Sequence, residues 1–186
     1  HQDLWAARKI FERRPPQHFD IGSRVDGYVA HLLVFMPVTA VDIRPMKSNI
    51  RGLTFLQDDA AELANLADNS VDSLSCMHTI EHVGLGRYGD PIDYDGDLKA
   101  ISELKRVVKP GGSLLFVTPV GKSKIAYNAH RIYSYEQVME YFAGFELKEF
   151  SLVPDSDATG GLIENADPGL VVQQDYACGC FWFVKK

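Results

Sequence analysis

His18-Phe19-Asp20-Ile21-Gly22-Ser23-Arg24-Val25-Asp26-Gly27 reads as a short strand that ends beside an acid, turns on a glycine and feeds a helix. In an open α/β sheet such a turn is where a ligand meets helix N-terminal N–H groups. Outward from it the pattern repeats. Residues 38–42, 53–56 and 71–76 are short and mostly apolar, as buried parallel strands are. Further strands are expected over 113–118, 145–153 and 180–184. Helical patterns fall between them, over 3–11, 28–35, 60–66, 98–108 and 135–142. In the first, Leu4, Ala7 and Phe11 share a face before Pro15-Pro16 stops the helix; in the fourth, Ile101, Leu104 and Val108 share one before Lys109-Pro110-Gly111-Gly112 turns the chain. Alternation of this kind argues for an α/β fold, a parallel sheet covered by helices.

Composition narrows the function classes. At 186 residues the chain is expected to form a single domain, with residues 1–16 as a leading helix and 84–97 and 154–177 as loops on the substrate side. Its 46% hydrophobic and 24% charged residues exclude disordered and collagen-like classes. The net charge of −6, with basic pairs only at Arg13-Arg14, Lys105-Arg106 and Lys185-Lys186, argues against nucleic acid as a partner. The longest apolar run, 32–38, holds a proline and is too short to span a membrane, so no membrane association is expected. Three cysteines make no disulfide framework and favour a reducing compartment, hence a cytoplasmic location. Cys178 and Cys180 project to one face of a strand, but no second Cys or His pair at ligand spacing accompanies them, and no metal site is expected. The acids of 90–97 fail the calcium-loop template, since Pro91 and Ser102 would stand where acids are required. Asp95 or Asp97 is expected instead to cap the helix that follows.

Three successive strand ends carry acids: Asp20, Asp42 and the pair Asp58-Asp59. A carboxylate at the tip of the second strand can accept both hydroxyls of a ribose, and three acids converging on one sheet edge suit a nucleoside-like ligand better than three coincident helix caps. The fourth strand runs into His78-Thr79-Ile80-Glu81-His82, which brings groups able to take or give a proton to the same edge. Glu81 and His82 read equally well as the start of a helix.

Taken together, Asp20-Ile21-Gly22, Asp42, Asp59-Ala60, Asn69-Ser70-Val71-Asp72, Glu81-His82-Val83 and Glu103-Leu104-Lys105-Arg106-Val107-Val108-Lys109-Pro110-Gly111-Gly112 resemble the linked motifs of class I S-adenosylmethionine-dependent methyltransferases. The block 82–91, with Asn128-Ala129-His130-Arg131, is similar to an uncharacterised branch of methyltransferase-like proteins. The resemblance implies a Rossmann-like, seven-stranded, mostly parallel sheet with helices on both faces and a reversed C-terminal hairpin. It implies S-adenosylmethionine as cofactor, bound by Asp20, Gly22, Ser23, Asp42, Ile43, Asp59 and Ala60, with His78 at the mouth. Arg24 departs from the family's glycine and must either narrow the pocket or point outward. His78, His82 and His130 are candidate bases, with Glu81 or Asp90 as orienting partners. Arg87, Tyr88, Asp90, His130 and Arg131 are candidate contacts to a small polar acceptor such as a sugar hydroxyl. A binding module without turnover is the first alternative. A nicotinamide-dependent oxidoreductase is the second; Asp42 fits it, but the three-glycine fingerprint is missing. The oligomeric state is left open.

Overall fold

The computed structural model describes residues 1–156 and 160–186, so that 157–159 of the expected loop 154–177 lie outside the described residues. The strands are β1 (His18–Ile21), β2 (Val38–Asp42), β3 (Leu53–Gln57), β4 (Val71–Met77), β5 (Val108–Val120), β6 (Lys124–Ala126), β7 (His130–Ile132), β8 (Phe145–Val153) and β9 (Ala177–Lys185). Seven of them form one sheet in the order β3-β2-β1-β4-β5-β9-β8, and β6 and β7 make a separate hairpin. β3, β2, β1, β4 and β5 run parallel, whereas β9 is antiparallel to both β5 and β8. This is the Rossmann-like sheet with a reversed C-terminal hairpin that the motifs imply.

Helices cover both faces. α1 (Gln2–Arg13) and α2 (Ala30–Leu33) bury Trp5, Ile10 and Leu32 against Val38, Leu115, Val117 and Cys180. α3 (Gly96–Val107) and α4 (Tyr135–Tyr141) bury Ile101, Leu104 and Val138 on the opposite side, against Leu114, Phe116 and Phe181. Successive residues of β5 therefore serve opposite cores, as the pleat requires. Among the described residues no helix is long and apolar enough to cross a membrane.

Four local expectations give way to tertiary contacts. In α1 the buried residues are Trp5, Ala6, Ala7 and Ile10, so Ala7 faces inward as expected, while Leu4 and Phe11 are each 49% exposed. Trp5 takes the inner seat because its indole N–H donates to the buried Glu149 carboxylate at 2.8 Å. Residues 60–66 form turns rather than a helix. The N–H groups of Ala64 and Asn65 donate to Asp58, and the carbonyls of Leu63 and Leu66 accept from Arg106, so side chains take the places of helical partners. The helix expected over 28–35 begins as a wide π-type turn, Val25–Val29, broken by non-helical dihedrals at Gly27. Lys109-Pro110-Gly111-Gly112 lies inside β5 as a bulge, where pairing steps from Val71↔Val108 to Ser73↔Ser113.

Beneath the first glycine turn β1 and β4 share a buried polar seam. Asp20 accepts from Ser75 Oγ, and Ser75 Oγ in turn lies 2.8 Å from His18 Nε2. His18 Nδ1 lies 2.8 Å from Ser73 Oγ. Because the Ser75 hydroxyl donates to the carboxylate, it receives the His18 Nε2–H, which leaves Nδ1 as acceptor from Ser73. Burial holds the imidazole neutral, with its pKa lowered to about 3 from 6.5, and raises that of Asp20 to about 6 from 3.8, against the opposing pull of Ser75 and Ser23.

The two shifts act on stability with opposite signs. An unfolded chain protonates His18 below pH 6.5 and the native one does not, so this residue removes stability as pH falls. Native Asp20 takes up its proton near pH 6, before the unfolded chain does near 3.8, and returns stability over that interval. His18→Gln should therefore lose less stability than wild type between about pH 6.5 and pH 4, and Asp20→Asn more, read as urea midpoints along that range. Parallel pH profiles for all three proteins would refute the assignment.

Candidate functional site

The carboxyl ends of the parallel strands open into a cleft of about 580 Å³. Gly22 forms its floor with φ +78°, and a Cβ placed there would come within 2.5 Å of the Thr79 side chain. Thr79 Oγ1 donates to the Ile21 carbonyl at 3.0 Å, while Gly22 N–H donates to Val41 O at 2.8 Å. Three strand tips are thus fastened at one point, and only glycine fits there. Ser23 donates to Asp20 through both its N–H and its hydroxyl, which sets the turn. Arg24 lies at the edge of the cleft among its lining residues, with its side chain 82% exposed and paired with Asp26 at 2.6 Å.

Gly22, Ser23, Asp42, Ile43, Asp59, Ala60 and His78 all line this cleft. Asp20 does not. Its carboxylate is fully buried beneath the turn, so it shapes the cleft without facing it, a correction to its expected cofactor contact. Asp42 accepts from Arg44 three times, from the backbone N–H at 2.8 Å, Nε at 2.9 Å and an Nη at 2.6 Å. Arg44 also lies over the Tyr88 ring, with 5.2 Å between guanidinium carbon and centroid, and Arg87 lies at 5.6 Å from the same centroid. Arg44 was not foreseen from the sequence; its place two residues after a strand-tip acid is the signal that marks it. Six aspartates and two arginines line the cleft, an acidic balance that suits a cationic ligand.

At the mouth His78 occupies a left-handed conformation, φ +53°, directly after β4. Its Nδ1 lies 3.0 Å from Glu81 Oε1 and its Nε2 3.4 Å from Cys178 Sγ. Burial opposes its charge, but Cys178 and Glu81 outweigh burial and raise its pKa to about 10. An imidazole protonated at neutral pH with both nitrogens engaged does not accept a proton, which removes His78 from the candidate bases. His82 differs. Its Nδ1–H donates to the Ala129 carbonyl at 2.6 Å, which leaves Nε2 as the basic nitrogen, 3.8 Å from Glu81 Oε1. Glu81 is buried between the two imidazoles, and its Oε2 has no hydrogen-bond partner among the described residues.

The expected acceptor contacts divide. Tyr88 and Asp90 line the cleft; Arg87, His130 and Arg131 do not. Asp90 is occupied by the N–H groups of Gly84, Gly86 and Tyr88, and so folds its own loop. Arg131 is 5% exposed, donates to the carbonyls of Val83 and Tyr94, and lies 3.4 Å from Asp97. It is a strut between the β6–β7 hairpin and residues 84–97, a correction to its expected role. His130 packs on Tyr176 with 4.8 Å between centroids, and burial and His82 push its pKa down. Neither Asp95 nor Asp97 makes a side-chain cap on α3, because Asp97 turns inward to Tyr133 and Arg131. Among the described residues no group of three or more His, Cys, Asp or Glu side chains is placed to hold a metal ion.

Gly22→Ala should destabilise the protein by about 2 kcal/mol through the positive φ and the Thr79 contact, and Thr79→Ser in the same chain should recover part of that by removing a methyl group. Urea unfolding of the single and double variants measures both; an unaltered Gly22→Ala midpoint would show that the strand tips are not locked here.

The fold is similar to those of known methyltransferases. A 1,6-didemethyltoxoflavin-N1-methyltransferase of Burkholderia thailandensis, solved with S-adenosylhomocysteine, is 14% identical with a TM-score of 0.68 over 100% of this chain and 78% of its own. The N-methyltransferase NodS of Bradyrhizobium japonicum, also solved with S-adenosylhomocysteine, is 12% identical with a TM-score of 0.67 over 99% of this chain and 85% of its own. The (4+2)-cyclase SpnF is 16% identical with a TM-score of 0.65 over 98% of this chain and 81% of its own. At these identities the likeness is one of fold, the class I methyltransferase-like fold. No curated protein matches in sequence. Residues 38–158 match the family profile described as "Caenorhabditis protein of unknown function, DUF268".

Proposed function

The chain belongs to the DUF268 family, and from its cleft we propose that it is a single-domain S-adenosylmethionine-dependent methyltransferase that acts on a hydroxyl of a small polar acceptor, such as a sugar, in the cytoplasm. The observation that carries this reading is the convergence of Gly22, Asp42, Ile43, Asp59 and Ala60 on one acidic cleft. These residues fit the cofactor: Gly22, packed under Thr79, keeps the floor free of a side chain, and Asp42, which accepts three times from Arg44, keeps about one of the four acceptor positions a carboxylate offers. Bound there, S-adenosylmethionine supplies a methyl group already activated by its sulfonium.

The protein's own task is to position an acceptor and to remove its proton. His82 is the base. The Ala129 carbonyl fixes its tautomer, Tyr88 packs edge-on against its ring at 5.4 Å, and Glu81 stands 3.8 Å from Nε2 to stabilise the imidazolium. Tyr88, flanked by Arg44 and Arg87, offers the acceptor a flat face next to that base. A second reading, a binding module without turnover, draws on the Asp42–Arg44 pair, which already occupies the ribose-side carboxylate.

Calorimetric titration with S-adenosylmethionine, S-adenosylhomocysteine and NAD separates these readings. Micromolar affinity for the two sulfur nucleosides, none for NAD, and a loss of about tenfold or more in Asp42→Ala are expected. No binding by the folded protein would sink the assignment. With a panel of hydroxylated small molecules and radiolabelled methyl donor, His82→Gln should bind cofactor normally and turn over about 100-fold more slowly. Label found only on protein side chains would overturn the small-acceptor reading, and binding without label in any product would favour the binding module.

A further inference from the structure

We propose that Cys178 is a peroxide-reactive thiolate that is converted reversibly to a disulfide with Cys180, a modification site at the rim of the cleft and independent of the reading above. The geometry is that of an activated nucleophile: Cys178 Sγ lies 3.4 Å from His78 Nε2, and His78 Nδ1 lies 3.0 Å from Glu81 Oε1, so a carboxylate orients the ring that faces the sulfur. Cys180 Sγ is 3.9 Å from Cys178 Sγ, on the same face of β9, and stands as the resolving thiol. Gly179 between them admits no Cβ, which would lie 2.6 Å from Val120, and it leaves the backbone that joins the two cysteines free of side-chain restraint. Cys178 is partly exposed, whereas Cys180 and the third cysteine, Cys76, are buried.

The groups that face Cys178 are His78 and Cys180, with Glu81 behind. Cys180 donates to the sulfur and His78 adds its charge; together they overcome burial and hold the Cys178 thiol below its ordinary range, whereas burial pushes Cys76 well up. Cys178 lies within β9, paired with Pro119 and Val153 across the sheet, and not at a helix N-terminus or turn where N–H groups converge on an oxyanion. That points away from acyl transfer and towards attack on small electrophiles.

In the first step the Cys178 thiolate attacks hydrogen peroxide; an S–O bond forms, the O–O bond breaks and hydroxide leaves, giving the sulfenic acid. In the second, the Cys180 sulfur attacks the Cys178 sulfur; the S–S bond forms, the S–O bond breaks, and the Cys180 proton leaves with the oxygen as water. A thiol reductant reverses the product. Oxidation removes the negative partner of His78, and with it one charge from the cleft mouth.

Peptide mass spectrometry tests this on the whole chain. Iodoacetamide at about pH 7 should label Cys178 at least about tenfold faster in the folded protein than in urea, while folded Cys76 stays unlabelled. Hydrogen peroxide should give a Cys178–Cys180 cross-link reversed by dithiothreitol, and Cys180→Ser should stop at a sulfenic acid trapped by dimedone. His78→Asn, chosen because asparagine tolerates a left-handed backbone, should slow labelling of Cys178 about tenfold with an unaltered circular dichroism spectrum. Labelling of Cys178 no faster than in urea, no slowing in folded His78→Asn, or peroxide yielding only sulfinic acid or links between chains would overturn the proposal.

Discussion

The buried carboxylate of Asp20 is the constraint on which the rest of this molecule turns. It lies between β1 and β4, which His18 also bridges through Ser73 and Ser75, and it accepts from Ser75 on one side and from the Ser23 backbone and hydroxyl on the other. A charge with no exposure persists only where hydrogen bonds replace its water, and here those bonds specify the register of β1 on β4 and the path of the glycine turn together. From that turn follow the fit of Gly22 under Thr79 and, one residue before Thr79, the forced backbone of His78. Cleft and sheet are held by the same group.

Seven strands were legible because each is an apolar run bounded by polar or turn residues, a signal that burial writes directly into composition. The acids at their ends were legible as well, and Asp42 and Asp59 indeed line the cleft. Features decided by distant partners were not. Nothing local in 60–66 shows that Arg106 will take the carbonyls of Leu63 and Leu66. The β6–β7 hairpin is three residues a side and is held by Arg131, whose charge read as a ligand contact although its guanidinium is spent on carbonyls and Asp97. The pairing of His78 with Cys178 spans 100 positions and exists only because β9 aligns Cys178 with Pro119 beside β4.

A fold shared by N-methyltransferases and a cyclase does not by itself choose a reaction. Around Glu81 two imidazoles are held in different ways. Oε1 of that one carboxylate lies 3.0 Å from His78 Nδ1 and 3.8 Å from His82 Nε2, yet only His78 has a sulfur at its second nitrogen, while that of His82 faces the Ala129 carbonyl. The acidic cleft and the thiolate–imidazolium pair at its rim are neighbours, so the charge presented to a ligand depends on the state of the sulfur.

The reversal of β9 has a further consequence. A parallel strand delivers its last residues to the ligand edge, but an antiparallel one delivers its first, so Ala177 and Cys178 stand opposite Val120 and Pro119 at the end of β5. The connection that precedes β9 starts from Val153, at the same edge. That segment is anchored as well as placed: Ile163 pairs with Leu152 of β8, and Ala166 and Val171 are buried in the same core as Val138. Both ends of that segment therefore stand at the edge where the parallel strands finish, where a parallel crossover would have carried the chain to the opposite edge.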